Sequence, residues 1–123
     1  MDNREMARLF GLGRVAVGAG LFAVPSLAAA TWVGRDAKSA GVKTLSRGFG
    51  VRDAIIGVGL FRALENGDSD EIRRWLLFGA AADAADLVGT LASWRRLPPV
   101  RRTLVLAGIV GFGGLGFWLS QRL

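Results

Sequence analysis

Two stretches decide how this chain folds: Gly50-Val51-Arg52-Asp53-Ala54-Ile55-Ile56-Gly57-Val58-Gly59 and Gly79-Ala80-Ala81-Ala82-Asp83-Ala84-Ala85-Asp86-Leu87-Val88-Gly89-Thr90. Each is an apolar run with carboxylates in its middle. Between them, Asn66-Gly67-Asp68-Ser69 reads as a tight turn. Arg52 and Asp53 lie about fifteen residues before that turn and Asp83 about fifteen after it, so in an antiparallel helical hairpin they share a depth, roughly 22 Å from the turn. Asp86 falls close to the same level. Gly50, Asp53 and Gly57 occupy one helix face, and Gly79, Asp83, Asp86 and Thr90 occupy another. Both faces are small and polar, which lets backbones approach and side chains bond across.

Such a hairpin has the character of membrane-embedded sequence. An isolated charge at bilayer depth costs at least ~2.5–3.5 kcal/mol, so it faces inward and is paired. Arg52 is the nearest partner in sequence. Successive residues point about 100° apart on a helix, however, so Arg52 and Asp53 do not share a face. Arg14, on the first apolar segment, is a second partner. The polar stripe then has two readings: a structural salt-bridge network that fixes helix register, or a proton or ion site inside a bundle.

Composition narrows the field. The chain has 123 residues, 51% of them apolar, with 18 glycines and a mean hydropathy of +0.37. That suits one domain spanning 1–123. Cys and His are both absent, which removes disulfides, thiolate nucleophiles, and His-based triads and zinc sites. The net charge is +6. On a soluble protein of this size it would suggest nucleic acid. Here the arginines cluster at the ends of apolar segments, where membrane proteins place them, and no nucleic-acid partner is expected.

Taken in order, Met1 to Phe10 is short and charged and either opens the first helix or lies in the interface. Val15 to Gly34 carries no charge and is long enough to span, but Pro25-Ser26 interrupts it. If the helix ends near Val24 it starts near Glu5, Arg14 sits in mid-span, and Leu27 to Val33 with Trp32 is an interfacial piece. If it crosses Pro25, Arg14 sits at its edge and snorkels. The first version is preferred. A signal peptide ending at Ala28-Ala29-Ala30 competes, but membrane-like sequence follows it.

A polar connection from Gly34 leads to a second helix over about Lys43 to Leu64. Its longest uncharged run is Ala54 to Phe61, which suits an inner helix covered by its neighbours. Asp68, Ser69 and Asp70 cap a third helix reaching about Trp94. Arg95-Arg96-Leu97-Pro98-Pro99-Val100-Arg101-Arg102 is a boundary: the prolines stop the helix and the arginines hold the loop in water or on anionic headgroups. Thr103 to Gln121 is uncharged and spans, and its five glycines provide either packing within the bundle or a self-association face.

The expected fold class is therefore all-α, a four-transmembrane-helix bundle with short connections and helices over about 5–30, 43–64, 69–95 and 101–121. Both termini fall on one side. The first and third connections hold Arg35, Lys38, Lys43, Arg47, Arg95, Arg96, Arg101 and Arg102. The termini and second connection hold Arg4, Arg8, Arg62, Arg73, Arg74 and Arg122. That excess leans towards cytoplasmic first and third connections.

The run Ser46-Arg47-Gly48-Phe49-Gly50-Val51-Arg52-Asp53-Ala54-Ile55-Ile56-Gly57, followed by Asp83-Ala84-Ala85-Asp86, resembles a group of small four-helix integral membrane proteins of unknown function found in actinobacteria (DUF4267-like). Those proteins show an Arg-x-x-Gly-x-Arg-(Asp/Glu)-x-x-x-Gly pattern on the second helix and an aspartate on the third; here the first pattern is met by Arg47, Gly50, Arg52, Asp53 and Gly57. The resemblance extends over about Arg14 to Arg95. It implies a membrane bundle and no particular activity.

The residues singled out as an intramembrane polar network are Arg14, Arg47, Arg52, Asp53, Asp83, Asp86 and Thr90. The first expectation is a multi-pass membrane bundle of structural or accessory role, in a bacterial inner membrane. Its partners would be the lipid bilayer and either copies of itself or a larger membrane complex. The alternative is a small oligomeric proton- or cation-coupled transporter or channel using Asp53, Asp83 and Asp86. No enzyme activity, cofactor or metal is expected. Ser26, Thr90 and Ser93 lack a base, and Gly57-Val58-Gly59 and Gly11-Leu12-Gly13 are not phosphate loops.

Overall fold

Five α-helices and two short 3-10 turns make up the chain, with no strand; the computed structural model describes residues 1–123. α1 runs Asn3–Ala23, α2 Pro25–Val33, α3 Ala40–Asn66, α4 Ser69–Ala92 and α5 Pro99–Arg122. The helix starts follow from capping. Asp2 accepts from the Glu5 amide while Glu5 accepts from the Asp2 amide, a reciprocal cap for α1. Ser39 accepts from the Val42 amide, which starts α3 at Ala40 rather than near Lys43. Asp68 caps α4 through the Asp70 and Glu71 amides. Gly67 closes α3 in the left-handed conformation, φ 71°, making the α3–α4 turn.

The apolar segment assigned to one helix over about 5–30 is divided at Val24. In an unbroken helix the Leu21 carbonyl would accept from the amide of residue 25, but Pro25 has no N–H. Val24 leaves helical geometry (φ −128°, ψ 63°) and Pro25 becomes the first residue of α2. α3 supplies the missing donors: Ser46 Oγ donates to Leu21 O at 3.1 Å and Arg47 Nε to Phe22 O at 3.4 Å. The helix expected to reach Arg95 stops at Ala92. Trp94–Arg96 forms a 3-10 turn, and Leu97, preceding two prolines, is extended (φ −88°, ψ 152°).

The packing is built from two antiparallel pairs. α1 lies against α3, and α4 against α5. In the α1–α3 pair a Cβ on Gly18 would strike Gly50 O, and one on Gly50 would strike Gly18 O. The same reciprocity joins Gly11 and Gly57, one heptad away. Backbone thus meets backbone twice along this seam. The two pairs meet through the α3–α4 hairpin, where Trp75 lies over Gly59. An apolar cluster of Ala7, Phe10, Leu60, Ala63, Leu64, Ile72, Leu76 and Leu119 fills the end that holds this turn and both termini. α2 closes the opposite end.

α1, α4 and α5 are each long and apolar enough to cross a membrane. α3 is the longest helix, but Arg47, Arg52, Asp53 and Arg62 keep it from that class. It is also not fully enclosed: Val51, Ile55 and Val58 lie on an open face. At mid-bundle the molecule places charge inside and apolar side chains outside. Leu27, Val88 and Leu104 are 76%, 68% and 65% exposed, whereas Arg14, Asp53 and Asp83 are 2%, 8% and 7% exposed. Soluble proteins show the reverse distribution.

Candidate functional site

The centre of the bundle is a chain of ion pairs drawn from three helices. Arg14 enters from α1. Gly79 on α4 gives it room, because a Cβ there would lie 2.9 Å from Arg14 Nη2. Its guanidinium carbon sits 5.2 Å from the Phe10 ring centroid and 5.9 Å from that of Phe112, so aromatic faces replace part of its hydration. Nη1 donates to Asp53 Oδ1 on α3 at 3.1 Å, and Nη2 donates to Asp83 Oδ2 on α4. Arg14 therefore ties all three helices together.

Arg52 makes the second link. Its Nη1 and Nη2 donate to Asp86 Oδ1 and Oδ2 at 2.9 and 2.6 Å, a two-pronged pairing suited to the planar guanidinium. Nη2 also lies 3.5 Å from Asp53 Oδ1. The separation of Arg52 and Asp53 on the helix wheel holds at the backbone. The long arginine stem carries the charge round to its neighbour, with Phe49 4.9 Å beneath it. Five charges thus form one chain running Asp83, Arg14, Asp53, Arg52, Asp86.

Thr90 and Arg47 stand apart from that chain. Thr90 Oγ1 donates to Asp86 O at 2.7 Å and accepts from Trp32 Nε1 at 3.1 Å, so it latches α2 onto α4. Arg47 is exposed and caps the end of α1. Sequence reasoning missed Trp32 as a site residue, along with Phe10, Phe49 and Phe112. A part-buried tryptophan N–H needs an acceptor, and the Thr90 hydroxyl comes within its reach only once α2 has folded back.

Two arginines face three aspartates, so by formal count the chain of ion pairs has one carboxylate more than it has guanidinium groups. The unevenness shows in the hydrogen bonding. Arg14 Nε and Arg52 Nε are sealed without acceptors. Asp53 Oδ2 and Asp83 Oδ1 receive no hydrogen bond. The aspartates do not converge on a common point suited to a metal ion. Each faces an arginine instead.

A cavity of about 240 Å³ lies beside the chain, lined by all five charged residues and by Val17, Leu21, Trp32, Phe49, Ile109 and Phe112 among others. The Phe10–Phe112 contact, 5.3 Å between centroids, lies at its boundary with the apolar cluster. A second crevice of about 350 Å³ reaches Arg52 and Asp86 from the far side of Trp32, past Thr90 and Leu97. Trp32 stands between the two, packed 5.9 Å from Phe49. The arrangement is suited chemically to holding helices together and to receiving positive charge. Comparison with protein-family models, with curated proteins and with solved structures finds no match to this chain.

Proposed function

We propose that this chain is a small multi-pass integral membrane protein, a four-span bundle with a structural or accessory role, in which the Arg/Asp chain clasps two helix pairs in register. The observation that carries this reading is Arg14. It is 2% exposed and shared between Asp53 and Asp83 on two different helices, inside a molecule whose mid-bundle exterior is apolar. In such surroundings no hydrophobic force drives helix against helix, and close packing with polar links between helices takes its place. α3 serves as the fourth span because its two mid-helix charges, Arg52 and Asp53, are turned into this clasp. The resemblance of the run from Arg47 to Gly57 is the support for a bacterial inner membrane as its location. The basic first and third connections give it cytoplasmic loops at the α2 end.

A scaffold role is favoured over conduction by the apolar cluster at the terminal end. Eight buried residues there offer no polar step for an ion. The experiment pairs two readouts. Membranes are washed with alkaline carbonate, and the chain is expected to stay in the pellet. The Asp83→Ala variant is then expected to lose most of its folded yield, because it strands part of the Arg14 charge, a penalty of ~3–5 kcal/mol. Release by carbonate would overturn the membrane reading. Full yield and an unchanged melting curve for Asp83→Ala would overturn the clasp.

A further inference from the structure

We infer that the cavity beside the clasp is a binding site for a small organic cation, an ammonium group on a short apolar body. Four observations converge. The ion-pair chain sets two arginines against three aspartates, a formal excess of one carboxylate. Asp53 and Asp83 each keep one carboxylate oxygen free of hydrogen bonds, and both residues line the cavity. The remaining wall is apolar and aromatic: Phe49 and Phe112 already carry the Arg52 and Arg14 guanidinium groups, and the Trp32 ring carries no arginine. That pairing of carboxylate with ring faces recognises alkylammonium better than it does a hydrated metal ion. Finally, a volume of about 240 Å³ is below the usual range for drug-sized ligands and sets the occupant's size.

The fold also provides a way in. α5 packs closely on α4 but only lightly on α1 and α2. Near the α2 end it is tied by Arg101, whose Nη1 donates to Ala30 O at 2.8 Å. The cavity therefore opens between α5 and the α1–α2 segment, while the Phe10–Phe112 contact and the apolar cluster close it towards the termini. This places the ligand on one side of the bundle. The inference rests on the embedded, clasped arrangement proposed above, and the test reads the two separately.

Purified native protein in nonionic detergent is titrated calorimetrically with tetraethylammonium chloride, with sodium chloride at equal ionic strength as the control. Saturable one-site binding is expected for tetraethylammonium and not for sodium. Gly108→Leu is the principal variant. Gly108 lines the cavity and a Cβ there meets nothing within 4 Å, so leucine fills the space and leaves every charge in place. It is expected to abolish binding with the melting curve unchanged. Trp32→Leu is expected to weaken binding about tenfold, and Asp53→Asn by at least as much. A folded native protein that takes up no tetraethylammonium overturns the cation site while leaving the clasp standing. Equal binding by Gly108→Leu, or saturable sodium binding that tetraethylammonium does not displace, overturns the assignment.

Discussion

The seam between α1 and α3 and the seam between that pair and α4 solve one problem in opposite ways. Along the first, side chains are removed: Gly11 faces Gly57 and Gly18 faces Gly50, and main chains touch. Along the second, side chains are long and charged: Arg14 reaches Asp83, and Arg52 reaches Asp86. Arg14 sits between the two glycine pairs on its own helix, so the tightest contact and the most polar contact share a level. The difference teaches what each seam specifies. Glycine contacts set distance and tolerate small slips in rotation, whereas a guanidinium fork with two carboxylates on two helices fixes rotation and depth together.

Breaking the polar seam has the largest expected effect. Arg14→Ala strands Asp83 in the interior and leaves Asp53 only its 3.5 Å contact with Arg52, and a loss of ~3–5 kcal/mol is expected. The readout is folded yield after detergent extraction, with Arg14→Ala falling at or below Asp83→Ala. The glycine seam comes next. Gly50→Leu drives a side chain into Gly18 O and the Phe22 amide, and destabilisation at or above the ~1–3 kcal/mol of ordinary overpacking is expected. Gly48→Leu, two residues away and facing open space, should change the melting midpoint little, by under ~0.5 kcal/mol. Equal effects at positions 48 and 50 would remove the seam from the account.

Smaller effects sharpen the comparison at the α2 end. Trp32→Phe deletes the N–H that Thr90 accepts and is expected to cost ~1 kcal/mol, seen as a modest drop in melting midpoint. Ser46→Ala leaves the Leu21 carbonyl without the donor that replaces the missing Pro25 amide, with an expected loss of ~0.5–1.5 kcal/mol. A wild-type melting curve for Ser46→Ala would mean that another donor satisfies the end of α1.

Part of this architecture is readable from residue spacing. The common level of Arg52, Asp53, Asp83 and Asp86 follows from counting away from Gly67, because helix rise is constant. The glycine seam was readable too. Gly11 and Gly18 stand seven apart, as do Gly50 and Gly57, and that matching interval is the signal that could have paired α1 with α3. The rest depends on tertiary geometry. Arg14 is held by rings from Phe10 and Phe112, roughly a hundred residues apart, and no local pattern links them. Trp32 reaches Thr90 only because Pro25 breaks the helix and lets α2 fold over the clasp. Arg52 lies on the neighbouring face to Asp53 at its Cα, and only its side-chain length brings the charges within 3.5 Å. Arg47 carries the same charge and shares the motif, but its position beyond the end of α1 makes it a cap.

The most direct test of the clasp is a double-mutant cycle on Arg14 and Asp83, following thermal unfolding of the native protein, Arg14→Met, Asp83→Leu and the double variant in the same detergent. Arg14→Met alone leaves Asp83 without an arginine and Asp53 with only its 3.5 Å contact to Arg52. Removing Asp83 as well restores the native formal excess of one carboxylate and puts apolar side chains in contact. The double variant is therefore expected to be more stable than Arg14→Met, with a coupling of ~1–3 kcal/mol. Single effects that add to within ~0.5 kcal/mol, with the double variant the least stable of the four, would contradict an arginine shared between helices as the element that holds this bundle in register.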